Sequence, residues 1–219
     1  MENRTYTIRR APHPVRLACD NHGWEHAECL RIDQFPWYKA GQKQGTQTAL
    51  LYDDQALHVL FVCEDRHIWS VETRPNGNVY KDSCVEFFAI PDPQANRGYF
   101  NFEANCCSCV HLGWGPERAG RTLAGPEIHK QITVATSIPT PTKDEWPQDD
   151  SWWLAARLPF AAIGQFGGLQ VAPKSGDSWR ANFYRCGGKT DDQFACWNPI
   201  DWPKPDFHRP EFFGELRFE

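Results

Sequence analysis

The stretch SCVEFFAI at residues 83–90 decides the fold, and the stretch GYFNFEANCCSCV at residues 98–110 follows it closely. Both are rich in aromatic and β-branched residues, which favour strands over helices. In the second stretch, side chains alternate between an apolar face that includes Phe102 and a polar face that includes Glu103. Because the side chains of a strand alternate between its two faces, this pattern predicts half-buried strands.

Similar runs extend outward from these two stretches in both directions. They predict further strands at residues 5–9, 46–53, 56–64, 127–138, 151–158, 178–186 and 214–218. The motif PFAAIG at residues 159–164 predicts one short helical turn, since proline suits a first helical position and glycine a stop. The sequence therefore predicts an all-β fold, a two-sheet β-sandwich of the immunoglobulin or jelly-roll-like kind with at most short helical turns.

Length and composition favour one domain over residues 1–219. The chain is 41% hydrophobic and 23% charged, and the polar segment at residues 139–150 has predicted strands on both sides. Apolar runs fall far short of 18 residues, which argues against a membrane span. The net charge of -5, without a basic block, argues against a nucleic-acid partner. The oligomeric state is left open.

Cysteine usage indicates the compartment. The chain has nine cysteines, an odd number, and its first twenty residues show no apolar leader. Because disulfides are rare in the reducing cytosol, we expect free thiols and a cytoplasmic protein.

Polar side chains on the predicted strands are candidates for a site. Glu86 shares a strand face with Cys84 and Phe88, and a carboxylate in apolar surroundings needs a partner or a ligand. In the run at 178–186, Asn182 and Tyr184 share the face opposite the apolar one. These polar faces are also compatible with simple exposure to water, and Glu86 is also compatible with a structural salt bridge to an arginine.

Four motifs resemble carbohydrate-binding module family 9. They are DSCVEFF at residues 82–88, YFNFEAN at 99–105, the stretch from Trp152 to Gly164 with its Leu158-Pro159-Phe160, and FHRPEFFGEL at 207–216. Their order and spacing are similar to the family from about residue 46 to 218. The first and last motifs are closest to those of stand-alone family-9-like proteins of bacteria.

The resemblance implies a β-sandwich that binds a sugar, with a role in glycan metabolism. Family members hold a terminal sugar ring between two aromatic side chains, which correspond here to Tyr80 and Phe207. The buried acid corresponds to Glu86 and the strand asparagine to Asn105. The predicted carbohydrate-binding residues are Tyr80, Glu86, Glu103, Asn105, Asn182, Tyr184, Arg185, Phe207 and His208.

An enzyme is the first alternative. The carboxylates of Glu86, Glu103 and Asp206, with His208, supply acid and base groups, and glycoside hydrolysis uses two carboxyl groups. The chain has no P-loop, nucleophile elbow or HExxH motif. A pure interaction domain is a further alternative, which would expose aromatic side chains without a polar rim.

A metal- or haem-binding sandwich is the last alternative. Cys107, Cys109 and His111 alternate at strand spacing, although Met1 as the only methionine argues against a methionine-ligated haem. No cofactor is predicted to be required, but the resemblance allows a structural calcium ion. Its candidate oxygen ligands are Asp53, Asp54 and Asp82.

Overall fold

The computed structural model describes residues 3–20, 23–95 and 97–219, and Met1 lies outside the described residues. The strands of the described residues are β1 (Thr5–Arg10), β2 (Cys29–Ile32), β3 (Thr46–Tyr52), β4 (Ala56–Glu64), β5 (Cys84–Ile90), β6 (Tyr99–Asn105), β7 (Val110–Gly115), β8 (Thr122–Leu123), β9 (Thr133–Thr136), β10 (Ser151–Pro159), β11 (Ser178–Gly187), β12 (Gln193–Cys196) and β13 (Gly214–Phe218). The helices are α1 (Pro126–His129) and α2 (Phe160–Gly167), with 3-10 turns at Val79–Lys81 and Pro210–Phe212. The predicted all-β class is confirmed. Among the described residues, no helix is long and apolar enough to cross a membrane.

The strands form a front sheet and a back sheet. The front sheet has the order β8-β7-β6-β5-β11-β13, and the back sheet has the order β3-β4-β10-β9. Strand β1 joins them, because Thr5–Ile8 pair with β13 while Arg9 and Arg10 pair with β3. β12 pairs beside β11, and β2 pairs beside β3. The result is a sandwich in which one strand belongs to both layers.

Aromatic side chains fill the space between the sheets. In the front sheet, Phe87 stacks on Phe183 with ring centroids 4.8 Å apart. Phe61 of the back sheet meets Phe183 edge-on at 6.4 Å. Phe100 and Phe102 belong to the same buried cluster, as the alternation of their strand predicts. Since burying such a side chain is worth about 1.5–3 kcal/mol, this layer supplies much of the stability of the fold.

The outer face of the front sheet carries a second apolar cluster. The sheet contributes Phe88 from β5, Tyr99 from β6 and Tyr184 from β11. The segment between β12 and β13 packs Phe207 and Phe213 onto them. The segment before β13 therefore crosses the outer face of the front sheet. This arrangement brings the chain around residue 207 close to the charged side chains of β5 and β6.

The predicted strand at 98–110 is two strands, β6 and β7, separated by a turn. Ser108 has a φ of 68°, in the left-handed region, and the Cys109 amide donates to Asn105 Oδ1 at 2.8 Å. A side chain that accepts from a nearby backbone amide stabilises such a turn. Similarly, residues 127–138 form α1 and β9 rather than one strand.

The turn corrects the proposed grouping of Cys107, Cys109 and His111. The Cys107 thiol donates to Asn105 Oδ1 at 3.3 Å, and the Cys109 thiol donates to the Arg74 carbonyl at 3.2 Å. His111 lies on β7 with its Nδ1 3.1 Å from the Asn76 carbonyl oxygen. The three side chains have separate partners because the chain reverses between them.

Candidate functional site

A cavity of about 600 Å³ opens on the outer face of the front sheet. Strands β5, β6 and β7 form its floor through Glu86, Glu103 and His111. Its walls come from loops and short elements that are distant in sequence, at residues 80–81, 118–123, 187–194 and 205–208. A concave site of this kind, with a few convergent polar groups, is the usual form of a small-molecule site.

Strand register builds the polar floor. Glu86 of β5 lies directly opposite Glu103 of β6, and Glu103 lies opposite His111 of β7. On its other side Glu86 lies opposite Tyr184 of β11. Directly opposed residues have Cβ atoms about 4.5–5.5 Å apart, so four strands place their side chains in one row.

Burial dominates the electrostatics of the two carboxyl groups. It raises the pKa of Glu86 well above its usual range, and Cys186 and the neighbouring Glu103 raise it further. Burial also raises the pKa of Glu103, against the opposing effects of His111 and Asn101. The Cys186 thiol donates to Glu86 Oε1 at 3.0 Å, and Asn101 Nδ2 donates to Glu103 Oε1 at 2.7 Å. The pair therefore retains a proton more readily than two exposed carboxyl groups would.

Gly113 makes room for an arginine beside the floor. A Cβ atom at this position would lie 2.6 Å from Asn101 Oδ1 and 3.2 Å from Arg121 Nε. With glycine there, Arg121 Nε donates to Asn101 Oδ1 at 2.8 Å while its guanidinium lies 4.2 Å from the centre of the Tyr99 ring. Because Asn101 in turn donates to Glu103, a chain of hydrogen bonds orients that carboxyl group.

His208 forms part of the wall as a neutral imidazole. Its Nδ1 lies 2.8 Å from Tyr99 Oη. Burial, followed by the charges of Arg121 and Arg118, lowers the pKa of His208 to about 3. Asp206 accepts from both the His208 amide and Arg118 Nη1, each at 3.1 Å. At neutral pH this wall therefore offers an uncharged ring next to an ion pair.

Two predicted aromatic residues line the cavity in different ways. Tyr80 is 49% exposed, so its ring is free to contact a ligand. Phe207 is only 9% exposed, and its ring stacks on that of Tyr184 with centroids 4.2 Å apart. Tyr184 lies beneath this wall, fully buried, and donates from Oη to the Phe207 carbonyl at 3.1 Å.

The structure brings part of the predicted set together. The predicted residues that line the cavity are Tyr80, Glu86, Glu103, Phe207 and His208. Asp206, proposed for the enzymatic alternative, lines it too. Two predicted asparagines lie elsewhere. Asn105 Nδ2 donates to Asp82 Oδ2 at 2.7 Å, and Asn182 Nδ2 donates to the Asn198 carbonyl at 3.0 Å, so both are occupied by the fold itself.

Arg185 is a correction to the expected site. Its side chain lies between the sheets, 1% exposed, and forms an ion pair with Asp65. Ser83 Oγ and Trp152 Nε1 also donate to that carboxylate, at 2.7 Å and 3.0 Å. The physical reason is strand alternation, because Arg185 shares its face of β11 with the core residue Phe183.

Several lining residues were missed by the sequence reasoning. They are Lys81, Arg118, Arg121, Cys186, Asp192 and Phe194. Most lie in loops or at strand ends, where alternation gives no signal. Gly113 within a strand was a usable sign, since a glycine there often marks the close approach of another group.

The aspartates suggested for calcium do not gather. In the β3–β4 turn, Asp53 Oδ1 accepts the amides of Gln55 and Ala56, and Asp54 pairs with Arg10. Asp82 lies before β5 in the other sheet. Among the described residues, three possible metal ligands come together at one place instead, as Cys84, Glu86 and Cys186.

Comparison with known proteins gives a family match and structural neighbours. Residues 20–218 match the model of carbohydrate-binding family 9. The crystal structure of a candidate carbohydrate-binding protein from Bacteroides uniformis ATCC 8492 has a TM-score of 0.87 and 24% identity, over 100% of both chains. No curated protein matches the chain.

Two further structures are of a family 9 carbohydrate-binding module from Caldicellulosiruptor kristjanssonii, in complex with cellotriose and with glucose. Both have a TM-score of 0.64, with 15% and 16% identity respectively. They cover 99% of this chain and 94% and 96% of the respective modules. At such low sequence identities, the structural similarity shows that this chain shares the fold of these proteins.

Proposed function

The chain belongs to carbohydrate-binding family 9, and from this premise we propose that its front-sheet cavity binds the terminal ring of a sugar or oligosaccharide. One observation carries the proposal: the half-exposed ring of Tyr80 borders the same cavity as the buried carboxyl groups of Glu86 and Glu103. A sugar ring has an apolar C–H face and a rim of hydroxyl groups. The aromatic side chain suits the face, and the carboxyl groups suit the rim.

The wall residues add further hydrogen-bonding groups. His208 is uncharged near neutral pH, and Arg118 is tied to Asp206, so the wall supports a neutral polar ligand rather than a strongly charged one. We propose a neutral hexose as the recognised unit. The solved neighbours that contain glucose and cellotriose make these two sugars the first to test.

The contribution of a Tyr80–sugar contact to the binding free energy follows from the apolar surface that it buries. Stacking on a sugar hides on the order of 50 Å² of apolar surface, which at about 25 cal/mol per Å² is worth roughly 1–1.5 kcal/mol. Loss of that contact corresponds to about a tenfold change in dissociation constant.

The test begins with a glycan array that includes glucose and cellotriose, followed by calorimetry on a bound glycan. We expect Tyr80→Ala to weaken binding about tenfold without lowering the unfolding temperature. Tyr38→Ala is the matched control, because Tyr38 is also 49% exposed but lies outside the cavity. An array with no bound glycan, or equal affinity in the Tyr80 and Tyr38 variants, would refute the proposal.

Glycoside processing is the second candidate. Its supporting observation is that Glu86, Glu103, Asp206 and His208 all line one cavity. However, the family that the chain matches is a carbohydrate-binding one, and the sequence contains no nucleophile elbow or HExxH motif. We expect no turnover of aryl glycosides. Steady turnover that Glu86→Gln abolishes would instead establish the enzyme.

The proposed setting is the cytoplasm of a bacterium, in glycan metabolism. The setting is supported by the nine cysteines, all of which are free thiols. Titration of the parent protein under denaturing conditions, without reductant, should detect close to nine free thiols per chain. A count near one would indicate disulfides and an exported protein.

A further inference from the structure

Three buried side chains under the cavity carry an inference beyond sugar binding. Cys84 and Glu86 are two residues apart on β5, so they share one strand face. Cys186 of β11 lies directly opposite Cys84. One sulfur or carboxylate oxygen from each residue lies within 4.8 Å of the corresponding atoms of the other two.

These atoms have the spacing of a metal-binding set. Zinc–sulfur bonds of about 2.3 Å and zinc–oxygen bonds of about 2.0–2.2 Å place tetrahedral ligand atoms roughly 3.5–3.8 Å apart. Here the Cys186 Sγ and Glu86 Oε1 atoms are 3.0 Å apart, and all the separations stay within 4.8 Å. Small side-chain adjustments would therefore bring three ligands around one ion.

The ligand types select the class of ion. Thiolates favour zinc and softer thiophilic metals over magnesium or calcium, which prefer oxygen ligands alone. Two of the three residues, Glu86 and Cys186, line the cavity, which provides an entry path. Three protein ligands leave a fourth position of a tetrahedral ion for water or another small ligand.

We propose that Cys84, Glu86 and Cys186 bind a thiophilic divalent cation of the zinc class, with its open coordination position toward the cavity. As the metal bonds form, each thiol releases its proton to water, and Glu86 releases any proton that it holds so that it binds as the carboxylate. Two thiolates and one carboxylate exceed the charge of the ion by one. Lys81 and Arg121 on the cavity wall supply nearby positive charge. The proposed metal site shares Glu86 with the proposed sugar site, but the metal titrations need no sugar and test it separately.

The experiment uses the reduced full chain with Cys19→Ser and Cys29→Ser, which remove the two exposed thiols. Zn²⁺ is titrated by calorimetry, and Cd²⁺ is titrated while the ultraviolet sulfur-to-cadmium charge-transfer band is recorded. We expect one ion per chain and a charge-transfer band. Cys84→Ala and Cys186→Ala should each lower the Zn²⁺ affinity more than about tenfold and reduce the band.

Two further variants separate a ligand role from a folding defect. Cys63→Ala removes a thiol that is equally buried but lies on β4 of the back sheet, and it should bind Zn²⁺ like the parent. Glu86→Gln preserves side-chain volume and should weaken Zn²⁺ binding while the charge-transfer band remains. Unfolding temperatures are compared for all variants. Absence of Zn²⁺ and Cd²⁺ binding in the parent, or equal binding by the Cys84, Cys186 and Cys63 variants, would overturn the proposal.

Discussion

The ring of Phe207 lies almost flat on the ring of Tyr184, with centroids 4.2 Å apart and planes inclined by 11°. Because Tyr184 also donates a hydrogen bond to the Phe207 carbonyl, the loop that carries Asp206 and His208 is anchored to the front sheet. One face of the Phe207 ring is thus occupied by the protein. Phe207 supports the wall of the cavity as well as forming part of it.

Phe207→Ala should therefore affect stability as well as sugar binding. Truncating a largely buried phenylalanine costs about 3 kcal/mol of unfolding free energy, at the low end for such changes because Phe207 reaches the cavity. Chemical denaturation and calorimetry with a bound glycan measure the two effects. Phe207→Leu, which retains much of the volume, should cost less than about 1.5 kcal/mol. Unchanged stability of Phe207→Ala would contradict the anchoring role.

Gly113→Ala should damage the hydrogen-bond chain that orients Glu103. The added methyl group would meet Asn101 Oδ1 at 2.6 Å, so Asn101 and Arg121 must move. We expect a loss of about 1–3 kcal/mol in stability and weaker sugar binding. Gly125→Ala is the control, because nothing lies within 4 Å of a Cβ atom there. If both variants bind sugar like the parent, this chain of hydrogen bonds does not orient Glu103 for sugar binding.

Arg185→Met should lower the free energy of unfolding far more than the same substitution at a surface arginine. Removing one partner of a buried ion pair leaves Asp65 uncompensated, which costs about 3–5 kcal/mol. Arg9→Met, which breaks a half-exposed pair with Glu28, should cost at most about 1 kcal/mol. Denaturant midpoints compare the two. Similar losses would mean that the Asp65 pair is not important for folding.

Protonation of His208 should destabilise the fold in acid. The pKa of His208 is lowered to about 3 in the folded chain, whereas an unfolded histidine titrates near about 6.5. The folded state therefore binds fewer protons between these values, so this contribution is complete above pH ~6.5 and is lost as the pH falls toward ~3. At about 1.4 kcal/mol per pKa unit, the full loss of unfolding free energy approaches about 5 kcal/mol.

The measurement is unfolding free energy against pH for the parent and for His208→Asn. Arg121, Arg118, Asp206, His111 and Tyr99 surround the ring, and Glu86 and Glu103 titrate nearby. Only the difference between the two proteins reports on His208. The difference should shrink as the pH falls below ~6.5. A difference that is constant with pH would show that His208 titrates normally.

Local patterns were sufficient for much of the fold. The runs at 56–64 and 214–218 are strands with the predicted bounds, and those at 46–53 and 151–158 differ by one residue at one end. Alternation of apolar and polar side chains is a local property, so it can be recognised in the sequence of one strand without knowledge of its partner strands. Short strands such as β2 and β12 lack enough alternating residues to stand out.

The sequence by itself determined the sandwich, the core face of β6 and the presence of Glu103 on the opposite face of that strand. Only the tertiary structure decided which groups meet there. Arg121 reaches Asn101 across a loop, and Arg185 finds Asp65 from 120 residues away. The physical reason is that side-chain alternation depends on neighbouring residues, whereas register and loop packing depend on contacts between distant parts of the chain.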